Sequence, residues 1–223
     1  PLTCTFCATG QMRFGRNLTT SEMLDQALHF RRVEAVDHAV FMGMGEPFLN
    51  YDNVIRAARI LCDPAGPAIG ARAITISTAG IVPAIRRYTD EGHRFRLAVS
   101  LTAPTAAKRR QVMPIEGRYG LDELMDAVRA HHARTRGRVM LEYVLIRAFN
   151  TGEDDALALR DLFVGLPVRF NIIEVNDATG RYLPPDALEL ARFRDVLDAL
   201  GQPVVRRYSG GKDVRAGCGM LAT

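Results

Sequence analysis

The chain has 223 residues, of which 48% are hydrophobic and 24% are charged, proportions typical of a globular domain with a sizeable core. No apolar run reaches the roughly 18–20 residues that a membrane span needs, and no low-complexity tract is present, which excludes the integral membrane, fibrous and disordered classes. The 29 Lys and Arg residues against 25 Asp and Glu residues give a net charge of +4, and all but two of the basic residues are Arg. An Arg excess is typical of contact with RNA phosphates and equally of a coding sequence rich in G and C. The Arg pairs at residues 31–32, 86–87 and 109–110 are expected on the solvated surface.

Apolar, β-branched runs alternate with amphipathic stretches along the chain. The predicted helices cover residues 19–33, 54–61, 81–88, 121–135, 154–163 and 186–200. The predicted strands cover residues 38–42, 73–77, 95–101, 139–146, 168–175 and 203–207. These strands are too apolar to have a face in water, which is typical of a parallel sheet covered by helices. The pattern therefore predicts an α/β fold built from successive β-α units.

The first predicted helix carries two detailed signals. Thr19 can cap it, and Glu22 stands at the spacing of a capping box. Its predicted apolar face consists of Met23, Ala27, Leu28 and Phe30. No strand precedes this helix, so we expect a first strand upstream of residue 1. We treat residues 1–223 as one core domain whose glycine-rich tail covers residues 208–223.

Polar residues and glycines follow four of the predicted strands, at residues 43–46, Ser77, residues 100–102 and residues 174–177. In a parallel barrel the carboxyl ends of the strands meet at one mouth, where the chemistry of such folds is located. Each of these residues, taken singly, can also be a helix cap or part of a turn. Together they predict a functional site at the carboxyl ends of the strands.

Cys4 and Cys7 form a CxxC pair, which is compatible with three kinds of site. A redox dithiol places a thiolate at the start of a helix, zinc needs two further ligands, and thiolates also hold iron–sulfur clusters. No second CxxC is present, and the 5 His residues show no ligand spacing. His131 and His132 are expected on a solvated helix face. Cys62 lies in an apolar helical run and is expected to be a small buried hydrophobe.

A set of longer motifs narrows these alternatives, because a cysteine just before residue 1 would complete a CxxxCxxC loop with Cys4 and Cys7. The motifs are CTFCATGQMRFGRNL (4–18), FMGMGEPFLN (41–50), ISTAG (76–80), AVSLTAP (98–104), MPI (113–115), EYVL (142–145) and residues 213–221 around Cys218. In this order they resemble the RlmN/Cfr family of radical S-adenosylmethionine (SAM) RNA adenosine methyltransferases. The resemblance covers nearly the whole chain and implies a partial TIM-like (β/α)6 radical SAM barrel.

The resemblance also implies roles for individual residues. Cys4 and Cys7 would be ligands of a four-iron–four-sulfur (4Fe–4S) cluster with one iron open to SAM, and Cys218 would carry the methyl group. The residues implied in SAM binding are Gly45, Glu46, Ser77, Ser100, Leu101, Thr102 and Asn176. For Glu46 the alternative is a glycine turn followed by a helix-start carboxylate. For Cys218 it is a buried thiol without a chemical role.

The family's chemistry explains the need for such a cysteine, because carbon 2 of adenine is not nucleophilic. One SAM molecule methylates the cysteine thiolate, and a second yields the 5′-deoxyadenosyl radical that activates the S-methyl group. The resemblance thus implies methylation of carbon 2 of an adenosine in 23S rRNA and in tRNA. It further implies an electron donor such as flavodoxin. With no export signal and an oxygen-sensitive cluster, we expect a cytoplasmic monomer that does not bind membranes.

The chain departs from the family's pattern in three places. The first cluster cysteine and the resolving cysteine of the family fall before residue 1. Thr102 stands in the place of a His. Residues 174–176 and Gly210 replace a Pro-aromatic-Asn sequence and an Arg. The alternatives that remain are carbon-8 methylation, a radical SAM activase or mutase that does not methylate, and a cluster-free RNA-binding paralogue.

Overall fold

A computed structural model describes residues 2–42, 44–177, 179–208, 217, 219 and 220. The strands within these residues are β1 (Ala39–Phe41), β2 (Ile74–Thr78), β3 (Arg96–Ser100), β4 (Val139–Leu145), β5 (Val168–Glu174) and β6 (Val204–Arg206). They form a 6-stranded sheet in the order β1-β2-β3-β4-β5-β6. Every neighbouring pair is parallel. The predicted α/β fold of successive β-α units is therefore confirmed, with β1 and β6 at the two edges of the part that is described.

The helices pack against the apolar face of this sheet. They are α1 (Thr20–Arg31), α2 (Tyr51–Cys62), α3 (Val82–Asp90), α4 (Ala106–Val112), α5 (Leu121–Thr135), α6 (Glu153–Leu162) and α7 (Ala187–Ala199). Helix α4 was not predicted, because its short sequence lacks an apolar period. The capping box of α1 is present, since Glu22 N–H donates to Thr19 Oγ1 (3.3 Å) and Thr19 N–H donates to Glu22 Oε2 (2.8 Å). Among the described helices, each is too short or too polar to cross a bilayer.

The apolar face predicted for α1 is wrong in its second half. Leu28 is 47% exposed and Phe30 is 58% exposed. Met23, Leu24 and Ala27 pack against the core instead. Helix α1 contacts the rest of the molecule chiefly through α2, so one narrow row of side chains is enough to anchor it. Cys62, at the end of α2, is half-buried and packs against the core.

The prediction that His131 lies on a solvated face is also wrong. Helix α5 packs on α3, and this contact leaves His131 only 6% exposed. The His131 Nδ1 atom and the Thr89 hydroxyl form a hydrogen bond of 2.8 Å. Burial and the adjacent His132 lower the pKa of His131 to about 4, so the ring is neutral at physiological pH.

The register of the sheet determines which polar side chains share a face. Ser100 pairs with Glu142, and Glu142 pairs with Asn171, so these side chains stand side by side on three adjacent strands. The intervening residues of these strands point to the opposite face and enter the core. The sheet therefore presents a row of polar groups toward the barrel interior, which runs from the carboxyl end of β3 across the middle of β4 and β5.

Candidate functional site

A cavity of about 500 Å³ opens at the carboxyl ends of strands β1 to β5 and is closed on one side by the loop that precedes α1. The predicted site residues in its lining are Cys4, Cys7, Gly45, Glu46, Ser77, Ser100 and Thr102. Residues separated by almost a hundred positions thus meet at one mouth, where a parallel barrel is expected to bind its ligands. Leu101 and Asn176 lie outside this lining.

Cys4 and Cys7 occupy a tight turn in which the Cys7 N–H donates to the Cys4 carbonyl (3.2 Å). The Thr5 N–H donates to the Val112 carbonyl (3.0 Å), which ties the turn to the end of α4. At Gly10 a Cβ atom would lie 2.9 Å from the Cys4 carbonyl oxygen, so a larger residue would displace the turn. The backbone contacts to Val112 and the close approach of Gly10 therefore help to shape the cysteine turn.

Both cysteines are free thiols. Burial and the neighbouring Cys7 raise the pKa of the Cys4 thiol to about 11, and the positive charge of Arg109 opposes this rise. The thiolate form consequently needs a nearby cation, and a bound metal ion supplies one while it displaces the thiol proton. Thiolates are soft ligands, so two of them in one short turn suit an iron–sulfur cluster better than a hard cation.

The ligand set within the described residues is incomplete. No group of three or more His, Cys, Asp or Glu side chains there is placed to hold a metal ion. Cys4 and Cys7 fit as two of the three thiolates that the CxxxCxxC motif provides. The described residues do not include a third thiolate placed beside these two.

Glu46 follows Gly45, whose φ of +99° is a backbone conformation that favours glycine. The Glu46 carboxylate accepts hydrogen bonds from Phe48 N–H at Oε1 (3.0 Å) and from Ala79 N–H at Oε2 (2.7 Å). Burial raises the pKa of this carboxyl, while the two backbone donors oppose the rise. Glu46 thus does cap the short helical turn that follows it, as the alternative interpretation of this residue predicts. Each oxygen retains a further lone pair, so the same carboxylate can accept a hydrogen bond from a ligand in the cavity.

Ser77, Ser100 and Thr102 contribute hydroxyl groups from the ends of β2 and β3. Thr102 has a φ of +58°, which is uncommon for a β-branched residue and stores strain. Its Oγ1 atom is buried and has no hydrogen-bond partner among the described residues. A buried, unpaired hydroxyl in the wall of a cavity is suited to a polar ligand.

Leu101 and Asn176 are placed differently from these hydroxyl groups. The Leu101 side chain is fully buried in the hydrophobic core, and its N–H donates to the Glu142 carbonyl (2.9 Å). Asn176 is buried just after β5, and its carbonyl oxygen would lie 3.8 Å from a Cβ atom added at Gly219. Their roles in SAM binding stay predictions.

Glu142 is a cavity residue to which the sequence analysis gave no role. It is 3% exposed, and Asn171 Nδ2 donates to its Oε1 atom (2.9 Å). Its Oε2 atom has no hydrogen-bond partner among the described residues and lies 3.6 Å from Arg207 Nη1. Burial raises the pKa of Glu142, and Asn171 and Arg207 oppose the rise. One feature of the sequence indicates a special role for Glu142, namely that an acidic residue stands inside an apolar strand. A buried carboxylate requires a polar partner.

An ion pair lies fully inside the protein beneath the cavity. Arg109 Nη1 is 2.6 Å from Glu116 Oε2, and both side chains are almost completely buried. Arg109 Nη2 donates to the Ala79 carbonyl (2.7 Å), and the N–H of the same residue binds Glu46. The prediction that Arg109 belongs to the solvated surface is therefore wrong. Its guanidinium supports the Ala79 peptide that binds Glu46, and its positive charge limits the rise in the pKa of the Cys4 thiol.

Cys218 lies outside the described residues. Its neighbour Gly219 lines the cavity, and the Gly219 carbonyl accepts a hydrogen bond from Ala8 N–H (2.8 Å), next to Cys7. A Cβ atom added at Gly219 would be 3.6 Å from the Phe6 carbonyl oxygen. The chain next to Cys218 thus contacts the cysteine turn, as the motif comparison led us to expect.

Comparisons with known proteins agree with this geometry. The family model of the radical SAM superfamily matches residues 1–159. A probable RNA methyltransferase from Anaeromyxobacter sp. strain Fw109-5 is 58% identical over 226 residues, covering 100% of this chain and 67% of the relative. A probable dual-specificity RNA methyltransferase RlmN from Petrotoga mobilis is 42% identical over 225 residues, covering 100% of this chain and 65% of the relative.

A solved structure shows the same arrangement. The crystal structure of a radical SAM methyltransferase from Sphaerobacter thermophilus matches with a TM-score of 0.93 and 40% identity, covering 98% of this chain and 66% of that one. The chain therefore spans about two thirds of the length of the relatives that it matches. The predicted partial radical SAM barrel is confirmed by this match.

Proposed function

Because the chain belongs to the radical SAM superfamily, we propose that it is an RNA methyltransferase of the RlmN type that modifies carbon 2 of an adenosine. The proposed substrates are 23S rRNA and tRNA. The observation that carries the proposal is that Cys4, Cys7 and Glu46 line one cavity together with Gly219, the residue after Cys218. The names of relatives at 42% and 58% identity support the reaction class.

Membership of this superfamily implies a 4Fe–4S cluster and SAM as cofactors. Cys4 and Cys7 would hold the cluster through their thiolates, at the side of the cavity formed by the turn before α1. When bound, the cluster and SAM supply a reductively generated carbon radical, which the protein must orient and shield from water. A flavodoxin-like electron donor is the proposed partner for this reduction.

Glu46 is suited to bind the amino group of SAM. Two backbone N–H groups hold its carboxylate in one orientation before any ligand arrives. A carboxylate facing an ammonium forms a charge-assisted hydrogen bond, which favours the ionised form despite burial. The hydroxyls of Ser77, Ser100 and Thr102 line the same cavity and are available to the rest of the ligand.

Cys218 would receive a methyl group as S-methylcysteine and deliver it to the adenosine. Its position one residue before a cavity-lining glycine supports this role. In our proposal the RNA base enters the mouth of the barrel, and the S-methyl group would lose a hydrogen atom to the carbon radical that bound SAM supplies, so that its carbon could bond to carbon 2. The carbon–sulfur bond to Cys218 would then break as a second thiol forms a disulfide with the Cys218 sulfur, with release of one proton and one electron. This route avoids the need for a nucleophilic ring carbon.

Mass spectrometry of nucleosides from 23S rRNA and tRNA tests the proposal in a deletion strain complemented with wild-type or variant genes. We expect 2-methyladenosine with the wild type and with Cys62→Ala, and none with Cys218→Ala. Detection of 8-methyladenosine instead would show that the target is carbon 8 and not carbon 2. An unchanged RNA profile on deletion would refute the RNA methyltransferase.

A second measurement separates methyl transfer from SAM cleavage. Purified Cys218→Ala holoenzyme should still release 5′-deoxyadenosine under reducing, anaerobic conditions, because the cysteine turn and Glu46 are unchanged. Wild-type protein that cleaves SAM without methylating any RNA would instead favour the activase or mutase alternative.

A further inference from the structure

A second cavity, of about 780 Å³, opens at the amino ends of the strands, opposite the cysteine turn. We call it the basal arginine cavity. The arginines in its lining are Arg72, Arg94, Arg96, Arg134, Arg138 and Arg169. Its lining contains no Asp or Glu among the residues that the structure describes. Such a concentration of one charge contrasts with a net charge of only +4 for the whole chain.

The alternation of side chains along the strands places several of these arginines toward the barrel interior. Arg96 stands four residues before Ser100 on β3, and Arg169 stands two residues before Asn171 on β5. Residues separated by an even number of positions lie on the same face of a strand. Arg96 and Arg169 therefore lie on the same face as Ser100, Glu142 and Asn171. Arg138 precedes β4 and has the same parity as Glu142.

No counter-charge is present within the described part of the chain. All six of these arginines are exposed, and none forms an ion pair with a described carboxylate. Arg134 donates only to the Thr89 carbonyl (3.1 Å). By contrast, Arg87 on α3 is paired with both Asp52 and Glu91. Like charges gathered in a concave site focus a positive potential and attract anions.

We propose that the basal arginine cavity binds phosphate groups of the RNA backbone, a second RNA contact remote from the mouth; this rests on the proposed function. Arginine suits this ligand because its planar fork donates two parallel hydrogen bonds to a phosphate. The number of guanidinium groups exceeds what one phosphate accepts, which favours a chain of phosphates over a single free anion. Strand β4 has 7 residues and spans roughly 23 Å at about 3.3 Å per residue. A folded RNA whose base occupies the mouth is large enough to reach the base of the barrel as well.

The test compares two double variants of the encoded full-length holoenzyme that remove the same charge. Arg138→Gln/Arg169→Gln removes two basal guanidiniums, and Arg56→Gln/Arg59→Gln removes two exposed arginines from α2. The dissociation constant for an in vitro transcript of 23S rRNA is measured by filter binding from 50 to 300 mM KCl. We expect the basal variant to bind about tenfold more weakly at low salt, because charged hydrogen bonds are lost. Its salt slope should fall by about 1–2, whereas the α2 variant should stay close to wild type.

Three results would overturn the proposal. They are equal affinities of all three proteins, equal losses in both variants, and an affinity loss that Arg138→Lys/Arg169→Lys does not restore even in part. Thermal unfolding and SAM binding are measured in parallel, so that a misfolded double variant is recognised and replaced by the single variants Arg138→Gln and Arg169→Gln. RNA methylation by the wild-type protein distinguishes failure of the proposed function from failure of the basal contact. If the wild type methylates RNA and the basal variants bind RNA as well as it does, only the basal contact is refuted.

Discussion

The mouth and the base of the barrel both carry polar side chains on the inward face of the sheet. The two ends differ in whether these side chains have hydrogen-bonding or ion-pair partners within the protein. At the mouth, Glu46 and Glu142 are buried and are held by neutral donors from the backbone and from Asn171. At the base, Arg96 and Arg169 are exposed and lack acidic partners among the described residues. The mouth is therefore organised before a ligand binds, whereas the base presents positive charge for which the described residues supply no counter-charge.

Burial also gives the two ends opposite responses to pH. It raises the pKa of Glu46 and Glu142 at the mouth, and it lowers the pKa of His131 at the base. In each case desolvation favours the neutral form. The difference lies in which charge burial disfavours, namely the carboxylate of Glu46 and Glu142 at the mouth and the imidazolium of His131 at the base.

The largest effect is expected at the mouth. Replacing Cys4 by Ser removes one thiolate from an already short ligand set, so the reconstituted protein should contain no stable cluster and should show no methyl transfer. Iron and sulfide analysis after anaerobic reconstitution measures this directly. Cys62→Ser, on α2 and outside the cavity, serves as the matched control and should retain full iron content. Normal iron content in Cys4→Ser would contradict the assignment of Cys4.

A large loss of stability is expected from the ion pair beneath the mouth. Glu116→Gln leaves the Arg109 guanidinium buried without a counter-charge, which costs about 3–5 kcal/mol of unfolding free energy. Urea denaturation measures the loss. Asp161→Asn, which breaks an exposed pair with Arg160, should change stability by less than about 1 kcal/mol. Since Arg109 also supports the Ala79 peptide, Glu116→Gln should weaken SAM binding as well. Similar losses in both variants would argue against the buried pair as a support of the mouth.

Much of the fold could be predicted because most of it is specified locally. All the strands and the boundaries of α5 follow from apolar patterns and flanking turn residues, and the cap of α1 from Thr19 and Glu22. Helix α4 was missed because its stability comes from the Thr105 cap and from packing, and its charged sequence has no helical period. The burial of His131 and Arg109 depends on contacts between elements distant in sequence, which a single sequence does not reveal.

The site was predictable where its residues lie on strand ends or within extended motifs. Gly45, Glu46 and Ser77 belong to this group, and all of them line the mouth. Glu142 received no role, because its exposure to the cavity depends on the register that sets it beside Asn171. Leu101 was included with its neighbours, yet alternation along the chain turns its side chain into the core. The basal arginine cavity was invisible in the sequence, since its arginines come from separate loops, from strand starts and from the end of α5.

A pH-dependent effect is expected at the base. The pKa of His131 is about 4, below its ordinary value of 6.5, so the folded state binds a proton less readily than the unfolded state. Its contribution to stability is therefore complete above pH 6.5 and is lost as the pH falls toward 4, by up to about 3 kcal/mol. His131→Asn removes this titration and should flatten the unfolding free energy over that range relative to wild type. Parallel pH profiles for the two proteins would contradict a buried neutral imidazole.

The smallest effect is expected from a variant that relieves the repulsion among the arginines of the basal arginine cavity. Arg94→Glu brings a carboxylate among unpaired guanidiniums, so it should raise the melting temperature of the RNA-free protein by about 1–2 °C at low salt. The gain should disappear at 0.5 M KCl, because exposed charges are screened over a few ångströms there. Arg160→Glu, placed beside Asp161, is the matched control and should lower the melting temperature slightly. Equal shifts in both variants would mean that the base carries no local excess of positive potential, and the contrast between the two ends of the barrel would then be one of burial alone.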